Sequence, residues 1–148
     1  MRRRRLIGGE RGSVSIEAVF AIGFLLIPAT ALLAQLPEWV GASHAAQAAA
    51  VEATRQVALA DSMADGVARA EAVASDVVAN QGFDSTDLVG VSVSADPAGE
   101  LQRGQLVTVT VTLRGSPILV PGLGSVGNPF NAVGAATERV DDYRSFAP

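Results

Sequence analysis

Glu17 is the residue whose surroundings demand a chemical explanation. It follows Ser13, Val14, Ser15 and Ile16 and precedes AVFAIGFLLIPATALLAQLP, a run from Ala18 to Pro37 without a single charge. A carboxylate driven to the centre of a bilayer costs about 2.5–3.5 kcal/mol, and less near the headgroups. Glu17 therefore either marks the edge of the apolar run or waits there for a cationic partner. Other groups able to do chemistry are few. Cysteine is absent, which removes disulfides, thiolate catalysis and cysteine metal sites. His44 is the single histidine, too little for a multi-histidine metal site or for much acid–base work, and it reads as a solvated side chain. Asp141 and Asp142 form the one tight acidic pair; without a loop motif to add ligands they read as solvated, with calcium a remote alternative. Residues 122–127, GLGSVG, spell Gly-x-Gly-x-x-Gly, which cradles a dinucleotide only between a strand and a helix of a βαβ unit. Here AsnProPhe follows, so no helix starts. A flexible loop is expected over 115–130, with Pro117, Pro121 and Pro129, whose Ile118, Leu119, Val120 and Leu123 are free to dock on the domain or on a partner. No cofactor and no metal are expected, and catalysis is the weakest of the functional classes.

The composition agrees. Of 148 residues 49% are apolar but only 5% aromatic, so Ala and Val supply a lean core without the large side chains that line most enzyme pockets. Charge is distributed unevenly. Residues 1–12 carry five arginines (Arg2, Arg3, Arg4, Arg5 and Arg11) against Glu10, a basic head of +4, while the remainder carries six arginines against fourteen acids. The overall charge of −4 argues against a nucleic-acid partner. A short basic head before an apolar run reads as a topology signal. The twenty residues from Ala18 to Pro37 span about 30 Å as a helix, the thickness of a hydrocarbon core, and exceed an ordinary secretory h-region. The arginines hold the N-terminus in the cytoplasm and send the rest outward, giving a single-pass protein of the cytoplasmic membrane. Pro28 lies mid-span, where a membrane helix tolerates it with a kink.

The spacing around Glu17 carries more. Arg11 and Gly12 are followed by Ser-Val-Ser-Ile-Glu at 13–17 and then by the span. This resembles the processing site of type IV pilin-like proteins, a basic leader ending in Gly with Glu at the fifth position after it. The polyarginine leader and the immediate span give the match its specificity. Within that superfamily the chain resembles the TadE-like family, the minor pilins or pseudopilins of tight-adherence, Flp-type pilus systems. The likeness is best over residues 10–60 and returns in AATERVDDYR at 135–144. The resemblance implies cleavage by a prepilin peptidase between Gly12 and Ser13. It also implies pairing of Glu17 with the new N-terminus of a neighbouring subunit, and partners among other pilin-like subunits and the assembly machinery. Major Flp pilins are much shorter and usually carry an aromatic directly after the glutamate, whereas Ala18 follows here, which points to an accessory subunit; the resemblance implies a pilus-associated or cell-surface location for it. The alternative is a plain signal-anchored extracytoplasmic domain, uncleaved, that binds an envelope partner.

These residues need a scaffold, and the pattern predicts an α+β, pilin-like one. Residues 1–12 form the cytoplasmic leader, 13–37 the transmembrane helix, 38–82 an extracytoplasmic helical region and 83–148 a small antiparallel β domain. Trp39, after Pro37 and Glu38, suits the headgroup layer or packing against the domain. VGASHAAQAAAVEATRQVAL at 40–59 is a strong helix former, with Glu52 and Arg55 at i,i+3, and continues the span outward. AspSerMetAlaAsp at 61–65 breaks that helix and caps a second one over 63–80, whose apolar face is Val67, Ala70, Ala74, Val77 and Val78 and which AsnGlnGly ends. After Gly82 the period changes to two. Strands are predicted at 88–95, 105–114 and, less cleanly alternating, 131–140, forming a meander with Val107, Val109 and Val111 facing a helix.

Overall fold

The computed structural model of the chain describes residues 11–120, 124, 125, 127 and 130–143, with side chains from residue 16 onward. Helix α1 runs from Arg11 to Ala58, 48 residues without a break, through both Pro28 and Pro37. At 1.5 Å per residue it is about 72 Å long. Its two halves are chemically different. From Ile16 to Leu36 every large apolar side chain is exposed, Phe24 at 86%. From Ala42 onward one stripe is sealed: Ala42, Ala45, Ala46, Ala49, Ala50, Ala53 and Val57. That spacing of three and four is the core face of a helix. Each proline removes one backbone donor. The Thr30 hydroxyl turns back to the carbonyls of Leu26 (2.9 Å) and Ile27 (3.0 Å), so this polar group is satisfied within the helix.

Helix α2 (Met63–Asn80) starts at Ser62, whose side chain accepts from the Asp65 N–H, and returns antiparallel along α1. Its buried face is Gly66, Ala70, Ala74 and Val78, one position per turn, with Val67 and Val77 half-buried beside it. Gly66 lets the helices close: a Cβ there would lie 3.0 Å from Val57 Cγ1 and 3.3 Å from Ala60 Cβ. Gly82, at φ +86°, ends the helix in the left-handed conformation that costs glycine nothing. Asp84 then caps the short 3-10 turn Ser85–Asp87 in a capping box. The Thr86 backbone N–H, seconded by the Thr86 hydroxyl, holds the Asp84 carboxyl below its ordinary 3.8. Its contribution is thus present above the ordinary carboxylate range and lost as pH falls through the lowered value.

The sheet is antiparallel in the order β1 (Leu88–Asp96), β2 (Leu106–Arg114), β5 (Asn131–Arg139), as the alternation predicted; β3 (Leu119–Val120) and β4 (Gly124–Ser125) form a separate small hairpin. Val107, Val109, Val111 and Leu113 are fully buried against the helices. Thr108, Thr110 and Thr112 face the other way, and Thr108 Oγ1 meets Thr137 Oγ1 across the strands at 2.8 Å. Each valine sealed in this way contributes about 1.5–3 kcal/mol. The 97–105 connection is braced by Gln105, buried, whose amide accepts from the Gln102 N–H at 2.8 Å and donates to the Pro97 carbonyl. The helical region and the sheet share one core, so the head is a two-layer unit with one sheet face toward solvent.

The closest contact in the head is backbone on backbone. A Cβ on Gly134 of β5 would stand 2.2 Å from the Ala46 carbonyl carbon and 2.4 Å from the Gln47 nitrogen, so glycine alone fits there. Beside it Gln47 donates to the Ala135 carbonyl (3.0 Å) and accepts from the Ala135 N–H (3.3 Å). Thr54 Oγ1 lies 2.6 Å from the Ala50 carbonyl and 3.2 Å from that of Ala136. Gln47 thereby clamps the outer edge of β5 at Ala135. Val109→Asp places an unpaired charge in this core and is expected to cost several kcal/mol, whereas Thr110→Asp on the outer face is expected to cost under about 1 kcal/mol. Thermal melting of the two variants in detergent checks the register, and equal losses would show it to be wrong.

Candidate functional site: the charged end of the span and the collar at its exit

Two places on α1 hold the residues that bear on function. The first is its N-terminal turn. The backbone of Arg11, Gly12 and Ser13 lies within α1, while Arg2, Arg3, Arg4 and Arg5 fall outside the described residues, as do the side chains of Arg11 and Ser13. Glu17 is exposed on the helix, and among the described residues no ion pair involves it. Ser13 and Glu17 are one turn apart, about 6 Å along the axis and on the same side. The helix that follows is long and apolar enough to cross a membrane, and its most apolar window is not buried at all within the molecule. An α-helix that is apolar all round and uncovered by its own protein is built for a lipid or helix environment.

The second place is where α1 leaves the apolar run. Gln35 is 8% exposed in spite of standing among exposed leucines. Its amide is fully used: Nε2 donates to the carbonyls of Ala31 (2.8 Å) and Leu119 (3.2 Å), and Oε1 accepts from the Leu119 N–H at 2.8 Å. The side chain thus meets β3 as a neighbouring strand would. One turn further, Trp39 packs on Phe130 with ring centroids 5.3 Å apart and planes at 57°, a tilted aromatic pair. Of the two positions open to Trp39, packing against the domain is the one observed. Its indole Nε1 is buried and has no hydrogen-bond partner among the described residues. Trp39, Ala42, Ser43, Gly115, Phe130, Asn131 and Ala132 enclose a shallow cleft of about 280 Å³ in which no side chain titrates. Within the expected loop at 115–130, Leu119–Val120 and Gly124–Ser125 pair as two short strands, and Gln35 gives Leu119 a second partner. Ile118 donates to the Gly127 carbonyl (3.2 Å) and Gly115 to that of Phe130 (3.0 Å), closing its base. Gly124 and Ser125 of the glycine motif lie in β4 with no helix behind them, so the motif lacks the geometry of a phosphate cradle; Gly122 and Leu123 fall outside the described residues.

The remaining candidates stand apart. His44 is exposed on α1, about 40 Å along the axis from Glu17. Asp142 pairs with Arg139 at 3.0 Å and Asp141 accepts from the Tyr143 N–H at 2.9 Å, so the two carboxylates serve different partners. Glu52 and Arg55 make an exposed pair at 3.6 Å, worth little. Sequence reasoning read Gln35 only as part of the apolar run. The available signal was a polar amide two residues before Pro37, but its partner lies 84 residues away. No family model matches the chain, and neither a curated protein nor a solved structure matches it. Gln35→Ala is expected to free two backbone groups of Leu119 and to cost about 1–3 kcal/mol locally. Amide exchange at Leu119 should then accelerate while that of Val109 stays slow, which hydrogen-exchange measurement on the detergent-solubilised protein reads directly.

Proposed function

We propose that the chain is a membrane-anchored, pilin-like accessory subunit, matured by a prepilin peptidase and used in assembling a tight-adherence pilus or related secretion filament. One observation carries the reading: Glu17 stands fifth after Gly12, at the head of a charge-free run that continues without interruption into the core helix of the head. In this reading the protein is the substrate of an enzyme and not one itself. The arginines of the leader keep residues 1–12 in the cytoplasm, and residues 38–148 lie outside. Cleavage after Gly12 creates an α-amino group on Ser13, with an unperturbed pKa near 8 and hence largely protonated. A carboxylate in lipid is penalised while alone and relieved when it meets such a cation. Glu17 of an incoming subunit pairing with the terminus of its neighbour would therefore steer docking and fix the axial register.

Orientation and maturation are separately measurable. A cysteine replacing Ser94, in a chain that has none of its own, is expected to react with an impermeant thiol reagent on intact cells whose outer layers admit it; labelling only after lysis would reverse the topology. N-terminal sequencing of the membrane-extracted protein is expected to begin at Ser13, and an intact leader would favour a plain signal-anchored domain. Glu17→Ala should leave insertion and cleavage nearly intact yet impair incorporation into filaments, with Glu17→Asp impairing it less. Removal of a carboxylate eases insertion, so poor incorporation could not be blamed on hydrophobicity. Assembly of Glu17→Ala at wild-type levels would leave Glu17 as an edge marker only.

A further inference from the structure

The β3–β4 hairpin stands at the level where α1 leaves its apolar run, and its height is fixed by the paired hydrogen bonds between Gln35 and Leu119. From Gly115 to Thr137 the sequence contains no charged residue, although the head as a whole is acidic. At the hairpin the Leu119 side chain is 59% exposed, with Ile118 and Val120 half-exposed beside it and Phe130 exposed at 53%. On α1 the exposed Leu32 and Leu36 flank Gln35 in sequence and share a groove with Trp39, the ring on which Phe130 packs. Apolar surface of this kind in contact with water is unfavourable, and contiguous patches mark an interaction site.

The backbone of the hairpin shows what kind of site. Non-helical chain at membrane depth is tolerated only where its N–H and C=O groups are satisfied within the protein. Here Leu119 and Val120 pair with Ser125 and Gly124 across the hairpin. Gln35 takes the Leu119 N–H and carbonyl, Ile118 N–H goes to Gly127, and Gly115 N–H goes to Phe130. Both N–H groups of the Gln35 amide are used, the second donating to the Ala31 carbonyl. We propose that Ile118, Leu119, Val120 and Phe130 form a second membrane contact, seated in the interfacial layer of the leaflet from which α1 emerges. The occupant of this surface is lipid. Apolar groups of interfacial segments lie about 5–10 Å into the boundary between headgroups and acyl chains, the depth at which Gln35 near the end of a 30 Å span holds them. Two attachments, one spanning and one interfacial, then fix the tilt of the head on the bilayer. This inference rests on the span crossing a membrane and is independent of filament assembly.

The test uses the full chain in vesicles of phosphatidylethanolamine and phosphatidylglycerol. Because the protein has no cysteine, single-cysteine variants Leu119→Cys, Leu36→Cys and Ser94→Cys can each carry one environment-sensitive fluorophore. Ser94 pairs with Thr108 and so lies toward the distal end of the sheet, close to the level of Thr54 and about 28 Å along α1 from Gln35. Lipids with a spin label high on the acyl chain are expected to quench the Leu119 label as strongly as the Leu36 label and to leave the Ser94 label bright. Adding Gln35→Ala should reduce the quenching at Leu119 and leave that at Leu36 unchanged. Quenching at Leu119 no stronger than at Ser94 overturns the proposal. So does loss of lipid quenching at Leu119 that accompanies crosslinking of this cysteine between copies as protein density rises, which would assign the surface to a neighbouring subunit. Because vesicles contain neither peptidase nor assembly machinery, failure of the pilin reading leaves the outcome untouched.

Discussion

The contact of the β5 backbone at Gly134 with the α1 backbone at Ala46 is the constraint on which the rest of the molecule depends. It requires a glycine on the strand, and the stripe facing the sheet on the helix is alanine at Ala42, Ala45, Ala46, Ala49, Ala50 and Ala53. With the two backbones in contact, a glutamine at 47 is long enough to clamp the outer edge of β5, and Thr54 reaches the carbonyl of Ala136. The sheet is thus hung on the same helix that is long and apolar enough to cross a membrane. The core compensates for its small residues by closeness: dispersion attraction falls steeply with distance, and side chains without bulk make their contacts by letting backbones approach.

Much of this was legible because it is local. The alternation of Val and Thr from Val107 to Thr112 fixes one face of β2 without reference to anything distant, and Ser62 with Asp65 announces the start of α2. The apolar run and its length are likewise a property of consecutive residues. What could not be read depends on partners remote in sequence. Gly134 carries no local signal of its role, since nothing in residues 131–140 says that a helix backbone lies 2.2 Å from where its Cβ would be. Gln35 and Leu119 are neutral choices until the fold brings them together, and residues 115–130 read as a loop because the partner of β3 is a side chain on α1. Periodicity describes faces; it does not say which face meets which.

The candidate site divides in the same way. Glu17, Gly12 and Ser13 stand out by type and spacing alone, since a carboxylate at the mouth of an apolar run is costly once that run enters lipid. These positions belong to the same helix as the core of the head, so the charged end and the folded end are parts of one continuous element. The collar at Gln35, Trp39 and Phe130 was half legible. Trp39 announced itself as an interfacial residue, but its pairing with Phe130 and the sealing of its indole were set by the hairpin.

Because α1 passes from span to head without a linker, the azimuth of Glu17 relative to the head is a matter of residue count. Gln35 follows Glu17 by about five helical turns of 3.6 residues, which in regular geometry puts the carboxylate on the side of the rod from which the head projects. The two ends of the molecule are therefore in phase, like marks on a shaft. One residue inserted between them would advance the head by about 1.5 Å but swing it by about 100°. A composition of any apolar residues would serve to occupy lipid, whereas the angle between anchor and head depends on their number.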